Sequence, residues 1–195
     1  FSVNSQIYKN GFDAACLLEM ATHGEERNAV VSIRTVRDTN RIMDIVVARN
    51  EVDPVIPLCL IYPSCDFDYH KALLEKLHPQ DSDLGRLGKS DMYNLLVHAK
   101  LVISIPVSDS SPRSVYESIF AGSAVALTYS PFLEELPPCM KRRIYVADLD
   151  NSSWFSEAVT FANSVTQVRY IPSDEALEMC DQTRTMGRIR RELYR

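Results

Sequence analysis

The 195-residue chain lacks the features that mark several large classes of protein. No apolar run approaches the roughly 20 residues that a membrane-spanning helix needs. Its five cysteines are irregularly spaced and include no CxxC pair, so neither a disulfide framework nor a structural zinc site is expected. A net charge of -5 and a pI near 5.4 leave no general basic footprint for nucleic acid. These absences favour reduced thiols in a cytoplasmic protein that does not bind nucleic acid.

The chain does contain short β-rich apolar runs that alternate with segments of helical periodicity. Strands are predicted at 29–33, 55–62, 82–86, 101–105, 124–128 and 144–147. Helices are predicted at 38–49, 66–77, 91–99, 113–121, 153–165 and 174–193, with Ser90 as the cap of the third. Nearly continuous apolar strands are typical of a parallel sheet covered on both faces. We therefore expect an α/β fold: a doubly wound, Rossmann-like parallel sheet of about six strands with helices on both faces.

Linkers, internal repeats and low-complexity segments are also missing. We expect a single domain over residues 1–195, with a core at about 28–165 and a C-terminal helical segment at about 173–195. The end of that segment, 184–195, is basic and carries apolar residues along one side. It is expected to pack on the domain or on a partner, and an anionic membrane surface is the alternative.

Chemistry concentrates in the run SDSSPRSVYESIFAG, residues 108–122, which follows the predicted strand 101–105. The run passes small polar residues, including Ser111, and enters a helix near Pro112. Helix N-termini carry unpaired N–H groups and partial positive charge, so they suit phosphate. Glu117, about one turn into the helix, is placed to accept hydrogen bonds from a ribose diol. Asp109 is expected to face the bound group.

A plainer interpretation uses the same residues without a ligand. Asp109 or Ser111 then caps the helix, and Arg113 and Glu117 form an exposed i,i+4 ion pair. The residues alone do not decide between a nucleotide site and this arrangement.

The same run resembles the donor-binding, C-terminal domain of GT-B glycosyltransferases, specifically of family 4 and its relatives. That family carries an acidic residue, seven intervening residues and a glutamate, often as S-D-G-x-P-x-S-x-x-E-A-x-A-x-G. The positions that match are Ser108, Asp109, Pro112, Ser114, Glu117 and Gly122. Ser110 stands where glycine is frequent, and Ser118 stands where alanine is. The segments 9–13, 28–48 and 84–105 are also similar to the family in order and spacing.

The resemblance implies roles for residues of the acidic motif and of the first predicted strand. Glu117 would hold the nucleotide ribose, and Asp109 would contact hydroxyls of the transferred sugar. Arg34 matches the arginine that neutralises the diphosphate, although Ile33 replaces the glycine often found before it. The second basic residue of the family has no clean counterpart, and Arg41 and Arg37 are the nearest.

Other donor contacts are implied around the helix N-terminus and one further loop. Backbone N–H groups near Arg113, Ser114 and Val115 would cradle the diphosphate, next to Ser111 and Pro112. Gly85 and Leu87 fall where the loop of the family lies along the nucleobase, and a simple turn glycine is the alternative for Gly85.

The resemblance further implies a retaining, metal-independent glycosyltransferase that uses a UDP-sugar or GDP-sugar and no other cofactor. Relatives place the glycan or glycolipid acceptor in a preceding domain, and we expect this chain to be without that domain. Because the chain begins at Phe1, just ahead of a family-like Asn10-Gly11-Phe12-Asp13 entry, we expect one half of a two-domain enzyme. Alone it should bind donor weakly and turn over nothing. We expect a cytoplasmic location, and peripheral attachment to the inner face of a membrane is compatible with it.

Two alternatives remain: another GT-B enzyme, such as a nucleotide-sugar epimerase, and a non-catalytic binding module. A metal role for the DxD sequences at 66–68, 81–83 and 148–150 is not expected, since three copies show how little the pattern discriminates. The four histidines have no ligand spacing.

Overall fold

Six parallel strands form one sheet within the residues that the computed structural model describes, 11–21, 26–109 and 112–193. The strands are β1 (Ala29–Ser32), β2 (Leu58–Ile61), β3 (Ser82–Gly85), β4 (Ala99–Ser104), β5 (Ala124–Leu127) and β6 (Ile144–Val146). They lie in the order β3-β2-β1-β4-β5-β6, and every neighbouring pair is parallel. This order confirms the predicted doubly wound, Rossmann-like sheet.

Helices connect the strands and flank the sheet. Over the described ranges they are α1 (Ala14–Met20), α2 (Ile42–Asn50), α3 (Phe67–Leu74), α4 (Lys89–His98), α5 (Arg113–Phe120), α6 (Pro138–Lys141), α7 (Trp154–Val165), α8 (Asp174–Cys180) and α9 (Gln182–Leu193). Short 3-10 turns cover Asp38–Asn40 and Pro131–Glu135. Of the helices in this part of the chain, none has the length and apolar character that crossing a bilayer requires.

The two faces of the sheet are buried by different helices, as predicted. Val31 and Val102 point to the face that packs against α1, α4 and α5. Their neighbours Val30 and Leu101 point to the opposite face, which α2 and α7 cover. All four valine and leucine side chains are fully buried, and each such burial is worth about 1.5–3 kcal/mol. The alternating burial fixes both the register of the strands and the faces on which the helices lie.

Several helix boundaries differ from the sequence-based prediction, and two of the differences have a clear physical cause. Helix α4 begins at Lys89 rather than after Ser90, because the Gly88 carbonyl accepts the Met92 amide at 2.9 Å and closes the first turn. The closing helix predicted at 174–193 is two helices, α8 and α9. Asp181 between them is extended and belongs to a parallel bridge with Phe12.

The Phe12–Asp181 bridge ties the segment ahead of β1 to the start of α9. The Phe12 amide donates to the Cys180 carbonyl at 2.9 Å, and the Phe12 carbonyl accepts the Gln182 amide at 2.9 Å. A Cβ on Gly11 would lie 2.8 Å from the Gln182 backbone, so only glycine permits this approach. The buried Phe12 ring packs edge-on against Phe120 of α5, with 5.2 Å between the ring centroids.

A second tight position follows α5. Gly122 has φ +92°, and a Cβ there would meet the Arg27 guanidinium at 2.6 Å. Arg27 donates to the carbonyls of Ala99 (3.1 Å) and Ala121 (2.6 Å), which satisfies backbone groups at this end of β4 and α5. Burial and the nearby positive charge of Arg143 lower the pKa of Arg27 to about 10. The turn after the acidic motif therefore needs glycine for both conformation and space.

The order of the strands creates a crevice at the carboxyl ends of β1 and β4. The chain leaves β1 toward β2 on one side and leaves β4 toward β5 on the other. Ligands of doubly wound sheets bind at this switch point. Arg34 follows β1 and Asp109 follows β4, so the fold places both at the crevice.

Candidate functional site

Arg34 and Asp109 meet at the switch point. The guanidinium of Arg34 forms an ion pair with the Asp109 carboxylate, and the two side chains are 20% and 17% exposed. The Arg34 Nε also donates to the Oγ of Ser104, at the end of β4, over 2.7 Å. Ser104 is buried, so it holds the arginine from the sheet side. Two residues 75 positions apart in sequence are thus fixed against each other.

A small cavity of about 160 Å³ opens beside this ion pair. Four of the sequence-predicted residues line it, namely Arg34, Asp109, Pro112 and Val115. Its far wall comes from the loop after β5, where the Ser130 Oγ donates to the Asp109 carbonyl at 2.7 Å. Sequence analysis did not single out Ser104 or Ser130. The only signal for Ser130 was its position just after a predicted strand, and none marked Ser104, which lies within one.

Glu117 lies one turn into α5 and is 5% exposed. Its Oε1 accepts two hydrogen bonds, one from the Tyr93 hydroxyl of α4 at 3.0 Å and one from the Arg113 Nε at 3.1 Å. Arg113 itself is 40% exposed. The i,i+4 pair with Arg113 is present, but its acidic member is buried rather than on the surface. Burial and the negative charge of Glu117 raise the pKa of the Tyr93 phenol, which keeps it a hydrogen-bond donor.

The N-terminus of α5 presents its first amides at the same end of the sheet. Pro112 is the residue before the helix, and its carbonyl accepts the Val115 amide at 3.0 Å. The Val115 N–H is therefore engaged within the turn. Arg113 and Ser114 are the first two helical residues, whose amides have no acceptor inside a helix. Ser111 lies outside the described residues.

The remaining predicted residues do not line the cavity beside Arg34. Arg41 precedes α2 in a left-handed conformation with φ 54°, and its amide donates to the Asp38 carbonyl. Gly85 ends β3 with φ +61°, and its carbonyl accepts the Tyr62 amide at 3.0 Å. Leu87 packs partly against the core.

Sequence analysis missed a polar cluster next to Gly85. The Nε2 of His70 lies 3.0 Å from the Tyr62 hydroxyl and 2.8 Å from the Asp83 carboxylate. Tyr62 follows β2, Asp83 lies on β3 and His70 comes from α3. Burial and the contact with Asp83 raise the pKa of Tyr62. His70 did not stand out in the sequence, because its two partners lie on separate elements and not at a recognisable spacing from it.

The DxD sequences are engaged in local or buried structural contacts. Asp66 caps α3 by accepting the Tyr69 amide at 3.0 Å, and Asp148 accepts the Asp150 amide at 3.1 Å. Asp81 forms a fully buried ion pair with Arg49. Across the described residues, no three histidine, cysteine or acidic side chains converge as a metal site would require.

Comparison with known proteins gives a result at the level of structure. No family model and no curated protein matches the chain. HepE of Anabaena, in complex with UDP, superposes with a TM-score of 0.74 at 15% identity, over 97% of this chain and 57% of HepE. AviGT4, a glycosyltransferase involved in avilamycin A biosynthesis, superposes with a TM-score of 0.69 at 14% identity, over 100% of this chain and 59% of AviGT4. TarM superposes with a TM-score of 0.61 at 14% identity, over 88% of this chain and 36% of TarM.

These neighbours are GT-B glycosyltransferases. At such low identities the likeness establishes the fold, and the chain has the Rossmann-like fold of a GT-B domain. The resemblance drawn from residues 108–122 and the flanking segments is confirmed at that level. The chain spans 57% of HepE and 59% of AviGT4, a little over half of each.

Proposed function

We propose that this chain is the donor-binding half of a retaining, metal-independent glycosyltransferase. Its donor is a UDP-sugar or a GDP-sugar, and its acceptor is a glycan or glycolipid. The observation that carries the proposal is the meeting of Arg34 and Asp109 at the switch-point crevice, with Glu117 on the helix that starts there. HepE has been crystallised with UDP and with UDP-glucose, which makes uridine nucleotides the first to test.

Each group of the crevice has a distinct task in this proposal. Glu117 accepts hydrogen bonds from the ribose, and Asp109 from hydroxyls of the sugar that is transferred. Arg34, with the amides of Arg113 and Ser114, faces the diphosphate. A departing nucleoside diphosphate gains negative charge as the bond to the sugar breaks. A cation already held in place by Ser104 therefore stabilises the transition state more than the ground state.

The small size of the cavity supports a site in which only part of the donor is enclosed. At about 160 Å³, it is smaller than the roughly 300–1,000 Å³ of pockets that enclose a drug-sized ligand. It accommodates one part of a nucleotide sugar, and the rest lies along the open ends of β1 to β3, past Arg41 and toward Gly85 and Leu87. The acceptor then binds to a preceding domain, so the chain alone binds donor weakly and is inactive. We place the enzyme in the cytoplasm, with basic helix α9 as a contact to the inner face of a membrane.

One observation favours a second candidate, a non-catalytic nucleotide-sugar-binding module. Asp109 and Glu117 are each paired with an arginine of this chain. If those pairs persist when nucleotide is added, the carboxylates are structural and the domain needs no reactive role.

Titration of the 195-residue chain with UDP and with GDP tests the proposal, by calorimetry or by NMR. We expect one of the two nucleotides to bind and Glu117→Gln to weaken it about tenfold or more, the usual cost of a lost hydrogen bond to a charged group. Glu178→Gln is the matched control, because Glu178 also pairs with an arginine, Arg184 at 3.2 Å, but on the surface of α8. Binding of neither nucleotide, or binding that Glu117→Gln leaves unchanged, contradicts the proposal.

A further inference from the structure

The two oxygens of the Glu117 carboxylate have different surroundings. Oε1 accepts both the Tyr93 hydroxyl and the Arg113 Nε. Within the described part of the chain, no group donates to Oε2. A buried oxygen without a donor would be an unsatisfied buried polar atom, and Oε2 is not one, so it is accessible to solvent. A carboxylate oxygen has two lone-pair directions, and two donors use those of Oε1. The arrangement leaves Oε2 as the acceptor for an incoming ligand.

Tyr93 is the more rigid of the two donors. It is 1% exposed, lies in the core between α4 and α5, and carries its hydroxyl on a ring with little freedom to move. The Lys89 Nζ lies 5.2 Å from the centroid of that ring and covers its outer side. Arg113 is 40% exposed and long, so it fixes the carboxylate less firmly.

We infer that Tyr93 is a positioning residue, whose hydroxyl holds Oε1 of Glu117 so that Oε2 is presented to the ribose hydroxyls of the nucleotide. This inference rests on the proposed function, since it assumes that Glu117 meets a ribose. It adds a residue from α4 to the site and assigns it to ribose recognition. Because the hydroxyl of Tyr93 donates to Glu117, Tyr93 acts through that carboxylate and not on the ligand.

The preference for ribose over deoxyribose separates positioning from a merely structural role. We expect Tyr93→Phe to weaken UDP about tenfold and 2′-deoxyUDP clearly less, because 2′-deoxyUDP has already lost the 2′-hydroxyl, one of the groups whose contact depends on the orientation of Oε2. GDP and 2′-deoxyGDP replace them if GDP is the nucleotide that binds. A structural defect would weaken both members of the pair alike.

Tyr145→Phe is a matched control, since Tyr145 also donates to a glutamate, Glu157 at 2.7 Å, on the exposed side of α7. It should leave both affinities unchanged. In the Glu117→Gln background, Tyr93→Phe should have no further effect on the ribose preference, because both changes act through one carboxylate.

A measurement on the wild-type protein does not depend on the folding of a variant. If Tyr93 holds Oε1 throughout, adding UDP shifts the carboxyl ¹³C signal of Glu117 and leaves the Cζ signal of Tyr93 in place. If the Tyr93 signal moves to the position of a free phenol, the hydroxyl no longer donates to Glu117, and that result overturns the positioning role.

The outcomes distinguish this inference from the proposed function. Wild-type protein that prefers UDP over 2′-deoxyUDP, together with a Tyr93→Phe variant that keeps the full preference, overturns the positioning role alone. Equal weakening of both nucleotides does the same. Wild-type protein that binds neither UDP nor GDP overturns the proposed function and this inference with it.

Discussion

Arg34 and Asp109 form an ion pair that joins the loops leaving β1 and β4, the two central strands of the sheet. The same guanidinium is the group that the proposed function assigns to the diphosphate. A nucleotide that enters the crevice must therefore compete with Asp109 for Arg34. The ion pair keeps the crevice locally neutral until an anion arrives.

Replacing Asp109 by asparagine removes this competition. We expect Asp109→Asn to bind free UDP about two- to fivefold more tightly, which corresponds to the roughly 0.2–1 kcal/mol of a partly exposed ion pair. The gain should shrink at high salt, since screening weakens the original pair. Calorimetry at two ionic strengths measures it. Asp174→Asn, which breaks a surface pair with Arg184, is the control, and a decrease in UDP affinity for Asp109→Asn would contradict the prediction.

Gly122 should tolerate no side chain. Gly122→Ala combines φ +92° with a Cβ at 2.6 Å from the Arg27 guanidinium, so we expect a loss of about 2 kcal/mol or more in the free energy of unfolding. Gly187→Ala in α9 is the matched control, since its Cβ meets nothing within 4 Å and alanine favours a helix by about 1 kcal/mol. Urea denaturation compares the two variants. Equal stability for Gly122→Ala and wild type would show that the turn relaxes freely.

The buried Arg49–Asp81 pair should be costly to break from one side. Both side chains are fully buried, and the Arg49 Nη2 lies 2.6 Å from the Asp81 Oδ2. Arg49→Met leaves the carboxylate without its cation, and we expect a loss of about 3–5 kcal/mol in the free energy of unfolding. The double variant Arg49→Met/Asp81→Asn should recover part of it. A double variant no more stable than the single one would mean that packing, not charge, dominates.

The same pair predicts a pH dependence. Burial opposes ionisation of Asp81, but hydrogen bonds from Arg49 and from the amides of Leu58 and His78 outweigh it, so the pKa of Asp81 is lowered. The stability that this carboxylate contributes is present above its unfolded pKa of about 3.9 and is lost as the pH falls through the lower folded value. The deficit of Arg49→Met should shrink as the pH falls, and this should begin at higher pH, because burial without the cation favours protonation of the carboxylate. Denaturation curves at pH 7, 5 and 3 test this.

Two partly buried thiols should differ in reactivity. Burial disfavours the thiolate of Cys139, but hydrogen bonds from Ser173 and Tyr170 outweigh it and lower its pKa. Burial and the charge of Asp81 raise the pKa of Cys59. Because the thiolate is the nucleophile, alkylation of Cys139 should rise at lower pH than that of Cys59. Mass spectrometry of iodoacetamide-treated protein across pH 6–10 measures both, and Ser173→Ala should move the Cys139 profile toward higher pH.

The sequence predicted β1, β2, β4 and β5 well because each is a short, largely buried apolar run, which leaves a strong signal. Its errors have identifiable physical causes, one local and one distant in the chain. The predicted strand at 55–62 starts late, at Leu58, because Pro57 has no amide to donate and the Leu58 amide is taken by Asp81 at 2.8 Å. The break at Asp181 could not be predicted, since it depends on Phe12, far away in the chain.

For the candidate site, too, contacts within one segment could be predicted and contacts between distant segments could not. The acidic motif and the Arg113–Glu117 pair follow from spacing within one continuous segment, and both were predicted. The burial of Glu117 was not, because Tyr93 reaches it from another helix. The partnership of Arg34 with Asp109 depends on the strand order, which spacing within either loop does not reveal. The roles assigned to these residues in nucleotide binding remain predictions.

The bridge between Phe12 and Asp181 has a mechanical consequence. It anchors α9 to the segment ahead of α1, and the Phe12 ring bears on Phe120, one turn beyond Glu117 on α5. We therefore expect a displacement of α9 to be transmitted through one aromatic contact to α5, the helix that carries Glu117. Amide signals of α5 should respond when α9 is engaged, although the two helices are well separated along the chain.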